Sequence, residues 1–388
     1  MRTVVVVGAS LAGLNAARAL REQQFEGRVV VVGAESHPPY DRPPLSKDFL
    51  AGRIGVSDLD LTAADDADLD LEWRSGVTAT GLDTAASTVV LDSGEELVAD
   101  GVVVATGARA RPWPGGRLDG VHTLRTVEDA VELRAQLTPG ARLVVVGGGF
   151  IGAEVASTAH SLGVEVTVIE ADAVPMVRAL GPEMGAVCAA LHTDHGVRLL
   201  AGGTVAGLVG DTRVRGVRVG DTVEPADVVV VGIGAQPAVE WLAGSGVAFN
   251  GAGVLTDAAG ATNIPQVVAA GDCTSSYNSF AASVLRQEHW TNAMAQPAAA
   301  VATLLGRPGP DRSAVPYFWS DQYGARLQFA GHAVAGDTVE VIDGDVASRS
   351  FAAVYRRSGV PVATFAMSRP KTFGRWRREL RAPLATTA

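Results

Sequence analysis

Two glycine-rich turns, Gly8-Ala-Ser-Leu-Ala-Gly13 and Gly147-Gly-Gly-Phe-Ile-Gly152, each follow a valine-rich run and open an alanine-rich one. Each is followed, 22 and 18 residues after its last glycine, by a glutamate ending a second apolar run, Glu35 and Glu170. In a strand-turn-helix-strand unit the glycines allow a tight turn, close approach of the backbone to a pyrophosphate, and close helix–strand packing. The helix N-terminus adds N–H groups and partial positive charge for phosphates, and the distal acid accepts from ribose hydroxyls. The first turn carries Ser10 in place of the middle glycine, while the second is complete with Gly147, Gly149 and Gly152. The first turn alone reads equally well as an ordinary small-residue strand–helix connection. Two in one chain imply two dinucleotides, and hence a protein that passes electrons between them.

The chain has 388 residues, enough for two or three domains with their own cores. A hydrophobic content of 47% rich in Gly, Ala and Val reads as globular α/β. The formal charge of -10 argues against a nucleic-acid binder acting through its whole surface. From Arg349 to Arg381, however, nine basic residues face Glu379 alone. Cys188 and Cys273 cannot form a CxxC pair or a disulfide framework, which fits a reducing cytoplasm. No apolar run reaches bilayer-spanning length. The N-terminus imitates a secretory signal, but Gly8, Ser10, Gly13 and Glu35 fall where a strand, turn and helix need them. Only Lys47 and Lys371 are lysines, so each is a position where arginine has not served.

Along the chain, Val4–Val7, Val29–Val32 and Gly101–Ala105 read as buried parallel strands, with a helix over Leu11–Arg21. Short strands span Leu69–Ala99, and the Pro/Gly-rich stretch Arg109–Gly120 reads as a linker. The pattern restarts with a helix at Glu128–Leu137 and strands at Leu143–Val146, Val166–Ile169 and Val228–Val231. A helix is expected over Glu183–His195, a buried run over Val267–Ala270, and a helix over His289–Leu305. Beyond Pro316 the segments Ala325–Phe329, Ser348–Tyr355 and Val360–Met367 read as antiparallel strands of a small third domain. The fold class is α/β, with two Rossmann-like dinucleotide-binding domains and a C-terminal α+β domain.

Lys47 alone reads as a solvated loop lysine, and Glu154 as a glutamate favoured by its helix dipole. Trp290 and Trp319 could stack on flat rings, although core packing is the commoner role of such residues. His192 and His195 lack accompanying carboxylates or cysteines and read as a helix-end pair rather than metal ligands. No G-x-S-x-G nucleophile turn is present on a strand end.

Taken together, Gly8–Gly13, Tyr40-Asp-Arg-Pro-Pro-Leu-Ser-Lys47, Gly147–Glu154, Gly271-Asp272 and Phe318-Trp-Ser-Asp-Gln-Tyr323 give the chain a family resemblance from Val4 to about Met367. It resembles the FAD-dependent NADH:ferredoxin reductases of bacterial oxygenase systems, of the putidaredoxin reductase and biphenyl dioxygenase reductase type. The resemblance implies a glutathione-reductase-like fold with FAD-binding segments 1–108 and 236–312, an inserted NAD-binding domain 109–235 and an interface domain 316–388. It assigns Gly8, Ser10, Leu11, Ala12, Gly13, Glu35, Arg42, Lys47, Val77, Ala105, Thr106, Gly107, Arg125 and Asp272 to FAD. It assigns Gly147, Gly149, Phe150, Ile151, Gly152, Glu170, Arg178, Ile233 and Gly234 to NADH. Glu288, His289 and Trp290 would line the flavin–nicotinamide region, Trp319 would reach it from the C-terminal domain, and a Lys47–Glu154 ion pair would stand at the flavin. Arg/Pro/Ala-rich sequence after Met367 departs from the family pattern.

The resemblance implies hydride transfer from NADH to FAD, then single-electron delivery to an iron–sulfur ferredoxin, with Lys47, Glu154 and Trp319 as the catalytic group. No metal, nucleic-acid or membrane partner is implied, and the protein would be a cytoplasmic monomer or weak homodimer. Without a cysteine pair before Lys47, electrons would leave through the surface, and the basic C-terminal stretch would steer an acidic, transient ferredoxin. Alternatives on the same fold are a rubredoxin or quinone reductase, or a flavin-bound NADH sensor resembling apoptosis-inducing factor. Glu170 should repel a 2′-phosphate, favouring NADH over NADPH, although Arg178 lies near enough in sequence to meet one. Glu170→Arg is expected to lower kcat/KM for NADH roughly tenfold or more, one charge-assisted hydrogen bond's worth, and to raise it for NADPH. Steady-state kinetics with both nucleotides checks this, and a wild-type preference for NADPH contradicts it.

Overall fold

The computed structural model describes residues 1–116, 118–309 and 315–380. These group into two compact units: the described residues of Met1–Asp41, Leu59–Arg109 and Gln236–Pro316, and those of Arg42–Asp58, Ala110–Ala235 and Tyr317 onward.

The first unit is built on a five-stranded parallel sheet ordered Val267–Ala269, Gly101–Val104, Thr3–Val7, Arg28–Gly33, Leu71–Ser75. The glycine turn follows the central strand, where the connections diverge to either side and open a crevice at the strand ends. Unbroken valine runs suit this position because both faces are covered. Val5 and Val7 pack with Leu82, Val89 and Leu242 on one face, and Val4 and Val6 with Ala16, Leu20 and Val301 on the other. Each fully buried valine contributes about 1.5–3 kcal/mol of transfer free energy. Helices Leu11–Glu22 and Trp290–Leu304 cover the second face through alanines, which let their backbones approach closely. A three-stranded meander, Ala79–Asp83, Thr88–Leu91 and Glu96–Val98, and a four-stranded sheet from Phe249–Asn250 to Ser283–Leu285 complete the unit.

The second unit repeats the plan. Its parallel sheet runs Arg198–Ala201, Glu165–Glu170, Arg142–Val146, Val228–Val231, Val121–His122, and the second glycine turn again follows the central strand. The edge strand here comes from before the glycine turn, at Val121–His122, whereas in the first unit it comes from far after it. Helix Val177–Asp194 begins earlier than the sequence reading placed it, because Gly181, at φ 73, and Pro182 join a preceding turn to the main helix through a kink. An antiparallel sheet ordered Tyr317–Gln322, Ala325–Gly331, Val360–Met367, Ser350–Arg357, Thr338–Asp345 follows, with helix Pro370–Glu379 closing the described chain. Arg42–Asp58 groups with this unit, since its Ser46 and Lys47 bond to Glu154 and Thr158.

Two glycines of the second turn have different work. A Cβ at Gly152 would stand 2.1 Å from the Gly147 carbonyl oxygen, whereas one at Gly149 would meet nothing within 4 Å. Gly152→Ala should therefore lose about 1–3 kcal/mol or more of stability through overpacking, while Gly149→Ala should unfold at the wild-type temperature. Thermal denaturation of the two variants checks the contrast.

Candidate active site

In the first unit, Gly8 adopts φ 118, and a Cβ there would overlap the Ala105 carbonyl oxygen at 2.1 Å. A Cβ at Gly13 would stand still closer, 1.7 Å from the Gly8 oxygen, so the turn admits no side chain at either place. Ser10 is the N-cap of helix Leu11–Glu22, but its hydroxyl does not cap the helix, and no acidic residue stands in the first turn. A helix N-terminus of this kind favours negative charge. Around the same strand ends lie Thr106, whose Oγ1 donates to the Ala238 carbonyl at 2.6 Å, and Gly107, with open space where a Cβ would point. Gly271, at φ 83, packs against Ala12, whose Cβ a Cβ at Gly271 would meet at 2.9 Å, and Asp272 follows it in the chain. Glu35 accepts from the Tyr40 hydroxyl, and its carbonyl receives the Gly76 amide, next to Val77. Trp290 donates its indole N–H to Asp41 at 2.8 Å. Desolvation pushes His289 down to about 4 against the opposing charge of Asp272, so it is neutral at pH 7. Glu288 pairs with Arg286. An open, small-residue edge at a helix N-terminus with an acid at the second strand's end fits a resident dinucleotide.

In the second unit, Gly147 repeats Gly8, with φ 104 and a would-be Cβ 2.3 Å from the Gly232 oxygen. Helix Phe150–Ser161 starts at Gly149, again with no acid in its first turn. Ile151 and Ile233 are 47% and 37% exposed, apolar surface that a bound nucleotide would cover. Gly234, at φ 104, follows Ile233. The Glu170 carboxylate accepts from the Gly148 and Asp172 amides, both at 2.8 Å, which fixes it at the glycine turn. Arg178 points into solvent and pairs loosely with Asp172 at 3.6 Å. Arg42 donates to the Arg125 carbonyl at 2.7 Å.

A dense polar cluster of this unit surrounds Glu154. Its carboxylate is 2% exposed and accepts from the Lys47 ammonium at 2.6 Å, with Lys47 19% exposed. Ser46 Oγ donates to the same oxygen at 2.6 Å. The other oxygen receives Ser320 Oγ at 2.7 Å and the Asp321 amide at 3.2 Å. Lys47 also donates to the Pro43 carbonyl at 2.9 Å. Trp319, beside Ser320, stacks on Tyr317 with centroids 6.0 Å apart.

A family model described as pyridine nucleotide-disulphide oxidoreductase matches residues 2–297, and one described as reductase C-terminal matches residues 317–387. The chain belongs to the pyridine nucleotide-disulphide oxidoreductase family. The biphenyl dioxygenase system ferredoxin–NAD(+) reductase component of Paraburkholderia xenovorans (strain LB400) is 42% identical over 89% of this chain and 85% of its own. Rhodocoxin reductase of Rhodococcus erythropolis is 38% identical over 90% and 82%. The reductase in the covalent putidaredoxin reductase–putidaredoxin complex superposes with a TM-score of 0.93 at 33% identity, covering 98% of this chain and 93% of that one. Within its family the chain therefore stands among the FAD-binding, NADH-using ferredoxin reductases.

The sequence reading did not assign roles to Ser46, Ser320, Tyr40, Asp41 or Gln296. The first four lie inside or beside motifs it quoted, where their type alone carries no role. Gln296, nearly fully buried, accepts from the Gly271 amide at 2.8 Å and donates to Ser276 Oγ at 2.9 Å, holding the turn that carries Asp272. His192 and His195 both address Tyr323: His192 Nδ1 lies 2.8 Å from its hydroxyl, and His195 stacks on its ring at 4.6 Å. Among the described residues no group of three or more His, Cys, Asp or Glu is arranged to hold a metal.

Burial pushes His192 down to about 4. The unfolded chain, with an ordinary histidine near 6.5, then binds more protons than the folded one between pH 6.5 and 4. Stability from neutral His192 is fully present above pH 6.5 and is lost as pH falls through that window, by up to roughly 3 kcal/mol. His192→Asn, which keeps a partner for Tyr323, should flatten that part of the acid limb in denaturant titrations at a series of pH values.

Proposed function

We propose that the chain is the reductase component of an oxygenase system, oxidising NADH and delivering electrons singly to a [2Fe–2S]-type ferredoxin. The observation that carries this is the state of its two thiols. Both cysteines are buried and unpaired, and burial pushes Cys188 up to about 12 and Cys273 up to about 11. Neither serves as a thiolate, so the disulfide chemistry of related enzymes has no residue here and the electrons need an external acceptor. Unpaired thiols also suit a cytoplasmic setting.

When bound, FAD supplies the conversion between a two-electron donor and one-electron acceptors. The FAD-binding segments 1–108 and 236–312 of the proposed division would hold it through the turn at Gly8–Gly13, Glu35 and Asp272. The turn at Gly147–Gly152 would take the NADH pyrophosphate and Glu170 its ribose. Glu170, already held by two amides, offers a fixed acceptor pair and a fixed negative charge against a 2′-phosphate. Lys47, which the family resemblance assigns to the flavin, would favour its reduced, negatively charged form, and Glu154 holds that ammonium at 2.6 Å.

For the partner we propose an acidic ferredoxin that docks transiently on the last helix. Of the basic residues counted in the C-terminal stretch, Arg349, Arg356 and Arg357 are paired with Asp194, Glu340 and Asp337. Arg369 is half-buried and donates to the Ser350 carbonyl at 3.3 Å, Arg377 lies over the Tyr317 ring at 3.9 Å, and Arg381 falls outside the described residues. What is left exposed is Lys371, Arg375 and Arg378, spaced i, i+4, i+7 on one face of helix Pro370–Glu379. Replacing these three by glutamine should raise the KM for an acidic ferredoxin about tenfold at low salt and remove much of its salt dependence. NADH-driven ferricyanide reduction should stay at the wild-type rate. Ferredoxin reduction insensitive to both salt and the substitutions counts against this docking face.

A further inference from the structure

A buried carboxylate with one ammonium partner needs nothing more to balance its charge. Glu154 has three further donors, and two are serine hydroxyls drawn from different parts of the chain. Ser46 comes from the turn before Lys47, and Ser320 from strand Tyr317–Gln322. Each bonds a different oxygen of Glu154, so the carboxylate plane is fixed from both edges.

Both serines are themselves held. Ser320 is fully buried, and its Oγ accepts from Gln322 Nε2 at 3.0 Å, which leaves its proton directed at Glu154. The Ser46 carbonyl accepts from Thr158 Oγ1 at 2.7 Å, and Thr158 lies four residues after Glu154 on the same helix face. The turn carrying Lys47 is thereby tied to the helix at two successive rungs. The strand is tied beside it, where the Tyr323 amide donates to Ser157 Oγ at 2.7 Å.

We propose that Ser46 and Ser320 are positioning residues for hydride transfer, clamping the two oxygens of Glu154 and through it fixing the Lys47 ammonium. The proposal rests on the reading of the chain as an NADH-oxidising flavoprotein. Hydrogen bonds to a charged group are stronger than neutral ones, and a buried carboxylate that loses one regains it by turning toward its remaining donors. With Ser320 lacking its hydroxyl, one oxygen keeps only the 3.2 Å amide contact. The carboxylate then turns and Lys47 moves with it. Asp321, the charged residue of the flanking strand, gives Glu154 its amide while its carboxylate pairs with Arg326 at 3.6 Å. The Lys47 ammonium has one further anchor, the Pro43 carbonyl at 2.9 Å, so the clamp positions the pair together with the turn that carries Lys47.

Ser46→Ala, Ser320→Ala and Ser320→Thr, each purified with FAD, provide the test. Rapid mixing with NADH reads hydride transfer, and dye equilibration without NADH reads the flavin midpoint potential. The alanine variants are expected to reduce their flavin about tenfold more slowly, with NADH KM within twofold of wild type. Their potential should move to more negative values, because a displaced Lys47 no longer favours the reduced, negatively charged ring. Ser320→Thr, which keeps the hydroxyl, should restore both. Alanine variants with wild-type rate and potential overturn the proposal. So does a slower rate at unchanged potential without rescue by threonine, which marks the serines as structural only. If Ser320→Ala gives no folded holoprotein, Ser320→Cys, a weaker donor, takes its place. Wild-type flavin that NADH leaves oxidised defeats the proposed function instead, and the dye-measured potentials still judge the clamp.

Discussion

The rest of the structure depends on one close approach, made twice: a glycine with positive φ laid against the backbone of a neighbouring strand end. The Gly8 amide donates to the Val32 carbonyl at 2.7 Å, and the Gly147 amide to Ile169 at 2.8 Å. Ala105 and Gly232 donate back to Val7 and Val146, at 2.8 and 2.7 Å. In each unit the central strand is thus tied to both neighbours just as it ends. A side chain at Gly8 or Gly147 would occupy the carbonyl oxygen of the adjoining strand's exit. Because that space is full of backbone, the following helix must start at the sheet edge, with its positive end over the crevice. Binding follows from packing here.

The two turns are copies in geometry and differ in what surrounds them. Ser10 sits where the second turn has Gly149, and the acids are held differently, Glu35 by the Tyr40 hydroxyl and Glu170 by two backbone amides. A tyrosine on the proline-rich loop couples the first acid to a long excursion of chain, with Tyr40 bridged to Asp60 and Asp41 bonded to Leu59 and Trp290. Many linked contacts of this kind suit a ligand that stays. The second acid is held by backbone amides of its own turn and strand end, and Ile151 and Ile233 at the same strand exits are exposed, an arrangement suited to a ligand that comes and goes.

What was legible in the sequence was what local pattern encodes. Valine runs buried on both faces, the glycine turns and the acids at the second strand ends each need only a dozen or so neighbouring residues to be read. The strand Thr338–Asp345 was not legible, because it is an edge strand with largely exposed side chains whose Thr-Val-Glu-Val alternation breaks off at a register shift between Val341 and Asp343. The kink at Gly181-Pro182 hid the first turn of its helix. The Lys47–Glu154 pair joins positions 107 residues apart, and Ser320 reaches Glu154 across 166. Only family resemblance foresaw the pair, and nothing in the sequence foresaw the serines, since a hydroxyl has no periodicity or charge to mark it.

Burial of Glu154 explains why such help is needed. Taking a carboxylate and an ammonium out of water costs several kcal/mol per ion, which their mutual attraction offsets only when the remaining lone pairs are also satisfied. An ion pair in solvent would need no serines and would be worth about 1 kcal/mol or less. Here Glu154 is nearly sealed while Lys47 keeps about a fifth of its side chain open. The asymmetry sets the roles: the sealed carboxylate is the fixed member, and the ammonium is the one that can address a partner outside the cluster. Hydroxyl donors stabilise the carboxylate without adding charge, so they do not cancel the field of Lys47. A second lysine in place of either serine would hold Glu154 as firmly and would leave a net charge of the wrong size.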